Sequence, residues 1–210
     1  MKIFKLSGLL GFAMVAALGQ TISLASFEDF EGGTTAGWAG GSAPTNVSGG
    51  VLGSGKALGL SAINRGLATF NTGSTWSGDY DSAGVTSVSG WFRNDGSGPL
   101  ELRVVLHGTL GDRFTSSTSL VLAAGSGWTQ KTFSLAEADL TQVLGANSYA
   151  SVYGGVERLM FRHDSGVPDP GGESVTGAFR MDNIQAVPEP ATMAAIAMGI
   201  ATVANRKRKK

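Results

Sequence analysis

The chain has 210 residues, and its 16 basic residues balance its 16 acidic residues to a formal net charge of zero. Seven of the basic residues lie at the two ends, which leaves Ser26 to Val187 with nine basic and fifteen acidic residues and a net charge of about −6. An acidic domain repels phosphate backbones, which disfavours a nucleic-acid partner. The absence of cysteine excludes disulfides, thiolate metal sites and a cysteine nucleophile.

The first residues have the pattern of a secretory signal peptide. Lys2 and Lys5 accompany an apolar run from Leu6 to Leu18, and small residues follow up to Ala25. The apolar run is shorter than the roughly 20 residues that a membrane-spanning helix needs, which favours a removable leader over a permanent anchor. We expect signal peptidase to cut after Ala25, so that residues 1–25 form the signal peptide.

Residues 26–186 are predicted to fold as an all-β sandwich, because Gly, Ser and Thr separate short segments of alternating apolar and polar residues. In the clearest segment Leu100, Leu102, Val104 and Leu106 alternate with Glu101, Arg103, Val105 and His107. A second inward-facing set is Val88, Gly90 and Phe92. Further strands are predicted at Ala57–Ser61, Leu67–Phe70, Ser119–Leu122, Trp128–Leu135, Val156–His163 and Phe179–Ala186. Eight or so strands with turns between them indicate a sandwich or a barrel.

One short helix is predicted after Ser134. Ser134 and Glu137 have the spacing of a capping box, apolar residues continue to Leu144, and Gly145 suits a helix end. This helix would connect strands across one end of the sandwich. The segment Asp164–Gly172, with two prolines and three glycines, is predicted to be a long loop.

The domain shows no catalytic motif, since it contains neither a Gly-x-Ser-x-Gly elbow nor a His-Glu-x-x-His pair. His107 and His163 lie in predicted strands and are expected to be exposed. Two carboxylates for a glycosidase can be drawn from distant acids such as Glu101 and Glu157, but nearly every secreted domain offers such acids. We therefore expect a noncatalytic domain, and the alternatives are a secreted glycan-acting enzyme and a purely structural protein.

Aromatic side chains are the best binding candidates, because the apolar faces of sugar rings stack on exposed Trp or Tyr. The candidates are Trp38, Trp76, Tyr80, Trp91, Tyr149 and Tyr153. Most Trp residues of a small sandwich belong to its core, an argument that we apply most strongly to Trp91 and Trp128. Trp76 and Tyr80 lie in a loop rich in Gly, Ser and Asp, where burial is not expected, so these two are predicted to contact a ligand.

The end of the chain contains a Pro-Glu-Pro motif, an apolar segment and a basic tail. They are formed by Pro188, Glu189 and Pro190, by Met193–Ala204, and by Arg206, Lys207, Arg208, Lys209 and Lys210. In this order the three elements resemble the PEP-CTERM sorting region, here over residues 187–210. The resemblance implies cleavage at the Pro-Glu-Pro motif by an exosortase, a membrane-embedded transpeptidase-like enzyme of Gram-negative bacteria that make an extracellular polysaccharide.

The apolar segment suits temporary retention in a membrane. As a helix, residues 191–204 would reach only about 21 Å against a hydrocarbon core of about 30 Å. The basic tail would hold the end of the chain on the cytoplasmic side. We therefore expect transient anchoring of the precursor in the inner membrane, followed by release to the cell surface or the extracellular matrix.

Three segments in the middle of the chain carry a second resemblance. They are Ser26–Gly32 leading to Gly37-Trp38, then Gly127–Leu135, and finally Met181-Asp182-Asn183-Ile184. In this order they are similar to the opening, the late Trp-containing strand and the closing strand of galactose-binding-like, carbohydrate-binding-module jelly rolls. The resemblance implies a jelly-roll-like sandwich and a polysaccharide as a partner.

Many such modules hold a structural calcium between their first and last strands, and Glu28 and Asp182 are the matching positions. Carboxylate oxygens suit this hard cation. The alternative is that the acids around Glu28 are solvated side chains at a strand start, and both interpretations stay open. Asp79-Tyr80-Asp81 and Asn94-Asp95-Gly96 also offer oxygen ligands, but these patterns are more typical of turns.

Overall fold

A computed structural model describes residues 22–51 and 55–188. This part of the chain contains thirteen β-strands, one short α-helix and two 3₁₀ turns. The strands are β1 (Phe27–Glu28), β2 (Trp38–Ala39), β3 (Thr45–Ser48), β4 (Lys56–Gly66), β5 (Ala68–Asn71), β6 (Val85–Asn94), β7 (Leu100–His107), β8 (Arg113–Ser116), β9 (Leu120–Leu122), β10 (Thr129–Ser134), β11 (Leu140–Leu144), β12 (Arg158–His163) and β13 (Ser174–Pro188). The helix is α1 (Tyr149–Tyr153), and the 3₁₀ turns are Thr109–Gly111 and Glu137–Asp139.

The strands form two antiparallel sheets. The six-stranded sheet has the order β10-β6-β13-β4-β3. Strand β4 pairs with β13 as far as Met181, and β1 pairs with the following residues Ile184 and Gln185. The seven-stranded sheet has the order β11-β8-β7-β12-β5-β2, and β9 pairs with the first half of β7 while β8 pairs with the second half. Strands that are distant in sequence lie side by side in both sheets, and this arrangement confirms the predicted jelly-roll-like sandwich.

The core fills the space between the two sheets. Leu100, Leu102, Val104 and Leu106 are all buried there, as their alternation on β7 predicts. Aromatic rings hold the middle of the core, where Phe161 lies 5.2 Å from Phe92 and 5.7 Å from Trp38 between ring centroids. Each buried ring contributes roughly 1.5–3 kcal/mol through removal of apolar surface from water.

The predicted helix after Ser134 is wrong. Only Glu137–Asp139 make a 3₁₀ turn, and Leu140–Leu144 form the edge strand β11 against β8. The local capping signal is overridden because a Leu-Thr-Gln-Val-Leu segment, with two β-branched residues, satisfies the backbone groups of β8. The short helix lies later, at α1, where the Ser148 hydroxyl accepts a hydrogen bond from the Ser151 N–H.

Both ends of the described region adjoin the predicted processing segments. Ile22 belongs to the predicted signal peptide, yet it is buried in the core and its N–H donates to the Ser77 carbonyl. Cleavage after Ala25 stays a prediction, as does the boundary of the domain at residue 186. The apolar segment Met193–Ala204 lies outside the described residues. Within the residues that the structure describes, no helix is long and apolar enough to cross a membrane.

Candidate functional site

Basic side chains are concentrated on the outer face of the seven-stranded sheet. Arg103 and His107 alternate with the core residues of β7, so they point away from the other sheet. The register pairs His107 with Arg113 on one side and with Arg158 on the other, and it pairs Arg103 with Arg162. Residues paired across antiparallel strands share a face. We call these five residues the arginine face.

Arg158, His107 and Arg113 form one row across three adjacent strands of this face. Neighbouring strands lie about 4.8 Å apart, so the backbones of the two arginines are roughly 10 Å apart with the imidazole between them. The Arg158 guanidinium lies over the Phe70 ring, 4.4 Å from its centroid. This cation–π contact orients the planar guanidinium group against a half-buried aromatic surface.

The other two arginines contact the loop Asp164–Gly172, although Arg162 Nε is buried without a hydrogen-bond partner among the described residues. The Arg162 guanidinium contacts the buried Asp164 carboxylate at 2.7 Å, and Arg103 Nε lies 3.8 Å from the same oxygen. Arg103 also donates to backbone carbonyls, including those of Asp164 at 3.0 Å and Gly166 at 2.6 Å. Arg103 and Arg162 therefore position the loop, and Asp164 provides a negative charge for both.

The same loop reaches over the middle of the arginine face. The Pro170 carbonyl accepts hydrogen bonds from Arg162, at 2.8 Å, and from Arg113. Val105 and Thr115 are fully buried although they lie on the outer side of the sheet and outside the core cluster. The loop thus covers the centre of the face and leaves the row of Arg158, His107 and Arg113 along its border.

This border row contains buried polar atoms without a hydrogen-bond partner in the described part of the chain. His107 Nε2 and the Nε atoms of Arg113 and Arg158 are buried and lack a hydrogen-bond partner among the described residues. In that part of the chain, no carboxylate lies within 4.0 Å of the Arg113 or Arg158 guanidinium nitrogens. An unpaired buried polar group costs about 1–3 kcal/mol, so the row is chemically suited to an external hydrogen-bonding partner.

His107 is held in its neutral form. Burial is the main cause, and the positive charges of three neighbouring arginines add to it, so that the pKa of His107 is lowered to about 3. Burial together with repulsion from Arg162 and Arg158 also lowers the pKa of Arg113. At neutral pH the row therefore consists of two guanidinium cations on either side of an uncharged imidazole.

Trp76 and Tyr80 are buried, so the expectation that their loop leaves them exposed is wrong. Their exposed fractions are 1% and 0%. The Tyr80 hydroxyl donates to the Trp76 carbonyl at 2.9 Å, and the Trp76 ring packs 6.0 Å from that of Trp38. Burial raises the pKa of Tyr80. Neither ring offers a face to a sugar in this structure, because the loop folds back onto the sandwich and places both rings in the core.

The other aromatic candidates differ in their burial. Trp38 and Tyr153 are buried, whereas Trp91 is half-buried on the outer side of the six-stranded sheet and Trp128 is half-buried in the turn before β10. The argument that Trp91 and Trp128 are the most probable core residues is therefore wrong. Tyr149 is half-buried, and its hydroxyl donates to the Leu135 carbonyl at 2.7 Å. Burial raises the pKa of Tyr149 to about 12.

Both histidines are buried, which contradicts the expectation of exposed strand histidines. The exposed fractions of His107 and His163 are 5% and 7%. His163 has a structural role, because its Nδ1 accepts a hydrogen bond from the Glu101 N–H at 3.1 Å and thereby fixes the start of β7. Single-strand alternation predicts only which side of a sheet a residue faces. His163 lies opposite Leu102 on the inner side of the sheet, and the burial of His107 on the outer side is a tertiary feature.

The two acids considered for a glycosidase lie at opposite ends of β7. Glu101 is at its start, and the Glu157 N–H donates to the carbonyl of His107 at its end. At about 3.3 Å per residue, the two backbone positions are roughly 20 Å apart. Catalytic carboxylates of glycosidases lie about 5–9.5 Å apart, so this pair does not form such a centre.

Glu28 on β1 pairs with Ile184 of β13, two residues along the strand from Asp182. The Glu28 carboxylate accepts from the Phe30 N–H at 2.9 Å, and Asp182 accepts from Val51 N–H and Asn183 N–H, both at 2.8 Å. Burial raises the pKa of both carboxyl groups, and other acids nearby raise that of Asp182 further. Oxygen donors in a region of negative charge suit calcium. The described residues contain no group of three or more His, Cys, Asp or Glu placed to hold a metal, so the calcium site stays a prediction.

Comparison with known proteins locates the processing signal. Residues 186–209 match the family model of the PEP-CTERM protein-sorting motif. The chain carries a PEP-CTERM sorting motif. This confirms the predicted resemblance at this end, and the PEP-CTERM motif indicates an exported protein with a membrane-anchored sorting signal at its carboxyl end. Glu189, Pro190 and the basic tail lie outside the described residues, while Pro188 ends β13. No curated protein matches the chain in sequence.

The sandwich is similar to solved carbohydrate-binding modules. A family 11 module from Clostridium thermocellum, solved with a β-1,3-1,4-mixed-linked tetrasaccharide, is 13% identical with a TM-score of 0.51 over 77% of this chain and 95% of that chain. CBM28, a module specific for non-crystalline cellulose, is 14% identical with a TM-score of 0.52 over 80% and 96%. An exo-β-agarase is 12% identical with a TM-score of 0.57, over 78% of this chain but only 24% of the agarase. At these identities the similarity establishes the jelly-roll fold alone.

Proposed function

We propose that this PEP-CTERM protein is exported, cut by signal peptidase and exosortase, and released to the cell surface or extracellular matrix, where its noncatalytic sandwich binds a glycan. The sorting motif at residues 186–209 carries the proposal. The domain that precedes it has a net charge of about −6 and no cysteine, so it is stable outside the cell without disulfides.

The arginine face is the proposed glycan site. Sugar hydroxyl and ring oxygens accept hydrogen bonds, and the half-buried side chains of Arg113 and Arg158 provide guanidinium N–H donors at the border row, with the buried His107 between them. The half-buried Phe70 ring adds apolar surface beside Arg158. A site with a few fixed polar groups and an aromatic ring is typical of sugar recognition. Because Glu101 and Glu157 are far apart, binding without hydrolysis is the function that this geometry supports best.

Processing is tested by expressing the full chain in a bacterium with its exosortase and in a matched strain that lacks this enzyme. Mass spectrometry of the protein recovered outside the cells is expected to show a chain that begins near residue 26 and has lost residues 191–210. In the strain without exosortase, the protein is expected to remain with the membrane. Secreted protein that still ends at Lys210 would overturn the processing step.

Glycan binding is tested with the mature protein collected from the medium of the exosortase strain. On a glycan array and in affinity electrophoresis it is expected to be retained by at least one polysaccharide, with no release of reducing sugar. Release of reducing sugar would support the glycan-acting enzyme instead. No retention by any polysaccharide would support a purely structural matrix protein.

A further inference from the structure

We infer that the border row of the arginine face binds the anionic group of an acidic polysaccharide, a sugar carboxylate or sulfate ester, between Arg158 and Arg113. This inference rests on the proposed glycan binding and narrows it to a chemical class. The shared chemistry is an oxyanion with several acceptor oxygens, which the planar donor fork of arginine matches in a bidentate manner.

The distribution of charge is the first argument. The mature domain has six more acidic than basic residues, yet four arginines are gathered on one face of one sheet. Among the described residues, Asp164 is the one carboxylate within ion-pair distance of Arg162 and Arg103, so it balances one of their two charges. No carboxylate in the same part of the chain is within ion-pair distance of Arg113 or Arg158. The border row therefore contains two arginines without an ion-pair partner in the described region.

The polar atoms in this row are the second argument. His107 is 95% buried, and its Nε2 has no hydrogen-bond partner in the described part of the protein. The adjacent Nε atoms of Arg113 and Arg158 are also buried and unpaired. A third positive charge here would be repelled by the two guanidinium groups, whereas a neutral imidazole between them adds no such repulsion. An oxyanion would accept from the arginines on both sides.

The surroundings of the row define its shape. The Phe70 ring holds the Arg158 guanidinium from one side, at 4.4 Å from the ring centroid. On the other side the Pro170 carbonyl accepts from Arg113 and fixes that side chain against the covering loop. Two arginines that are fixed before binding lose little conformational entropy when they bind, which favours a specific contact over a diffuse attraction.

A polysaccharide fits this row better than a nucleic acid does. A nucleic acid presents a continuous line of phosphates, which the remaining acidic surface of the domain repels. A single uronate or sulfated sugar places one anion on the row, and neutral neighbours along the polymer add no further negative charge next to the acidic surface. The row is therefore assigned to a glycan with separated anionic groups.

The test measures binding of the mature protein to four polymers by affinity electrophoresis and calorimetry. Hyaluronan supplies carboxylates on alternate sugars, κ-carrageenan supplies sulfate esters on alternate sugars, mixed-linked β-glucan is neutral, and double-stranded DNA supplies a continuous line of phosphates. The variants R158Q and R113Q remove one cation each. R65Q is the matched control, because Arg65 is exposed on β4 of the other sheet.

At least one of the two acidic polysaccharides is expected to bind more tightly than the neutral glucan and DNA. R158Q and R113Q should each weaken that binding roughly 10- to 100-fold, the range for loss of a charged hydrogen bond, while R65Q leaves it unchanged. Preference for hyaluronan or for κ-carrageenan identifies the anion. Equal binding by R65Q, R158Q and R113Q, or equally tight binding of DNA, would overturn the inference.

A measurement on the unmodified protein tests the same contact without relying on variants that could fail to fold. In NMR titrations with the acidic polymer, the Nε–Hε signals of Arg113 and Arg158 are expected to shift, while that of Arg65 stays in place. Shifts confined to other residues would overturn the inference. Binding to the neutral glucan alone would leave the proposed function standing and refute this narrower one, whereas no binding to any polysaccharide would refute both.

Discussion

Mild acid is expected to destabilise the protein through His107. The ordinary pKa of a histidine is about 6.5, and in the folded protein burial, assisted by the arginine charges, lowers the pKa of His107 to about 3. Between these values the unfolded chain binds a proton that the folded chain does not. The free energy of unfolding therefore decreases as the pH falls below about 6.5, by about 1.4 kcal/mol per pH unit.

At pH 5 this one group is expected to lower the free energy of unfolding by about 2 kcal/mol relative to pH 7, since the interval below pH 6.5 is about 1.5 units. The variant H107Q keeps a polar side chain at the site but has no titrating group. Urea denaturation of the two mature proteins, followed by circular dichroism, gives the free energy of unfolding at each pH.

The comparison between the two proteins isolates His107. Glu28 and Asp182, whose pKa values are raised by burial, act in the opposite sense at lower pH and are present in both proteins. The wild type should therefore lose about 2 kcal/mol more than H107Q between pH 7 and pH 5. Equal losses in the two proteins would show that His107 is not held neutral beneath the arginines.

Three further predictions concern the core, the buried ion pair and calcium. The substitution F161A removes a ring that contacts three other aromatic rings. Urea denaturation should show that the free energy of unfolding falls by about 3–5 kcal/mol. The control I63A, at an exposed position, should lower it by less than about 0.5 kcal/mol. D164N leaves the buried charge of Arg162 without its partner and should lower the free energy of unfolding by about 3–5 kcal/mol. A decrease as small as that of I63A would contradict the role assigned to this ion pair. If calcium binds at Glu28 and Asp182, chelator should lower the melting temperature of the wild type but not that of a variant with both acids changed to amides, and an unchanged wild-type value would refute the site.

The sandwich could be predicted from the sequence because its strands have strict two-residue alternation. On β7 the inward residues Leu100 to Leu106 are apolar without exception, and the structure buries all of them. β11 could not be predicted in this way. Its five residues follow a helix-capping pattern, and only the free edge of β8, a partner more than twenty residues earlier, makes them a strand.

Most of the candidate site could not be predicted from the sequence. The outward direction of Arg103 and His107 follows from alternation, but Arg158 and Arg162 join them only through the register of β12 against β7, about fifty residues apart. The prediction for Trp76 and Tyr80 failed for a related reason. Gly, Ser and Asp around them correctly indicate turns, but composition does not reveal that these turns fold inward and bury both rings.

The position of Pro188 bears on the proposed cleavage by an exosortase. The residue that opens the Pro-Glu-Pro motif is still part of β13, the long central strand of the six-stranded sheet, where it pairs with Val85. The folded sandwich therefore extends into the first residue of the motif. An enzyme that cuts there must either accommodate the whole sandwich at the bilayer surface or act while the last residues of this strand are peeled away, so the timing of folding and release would be coupled.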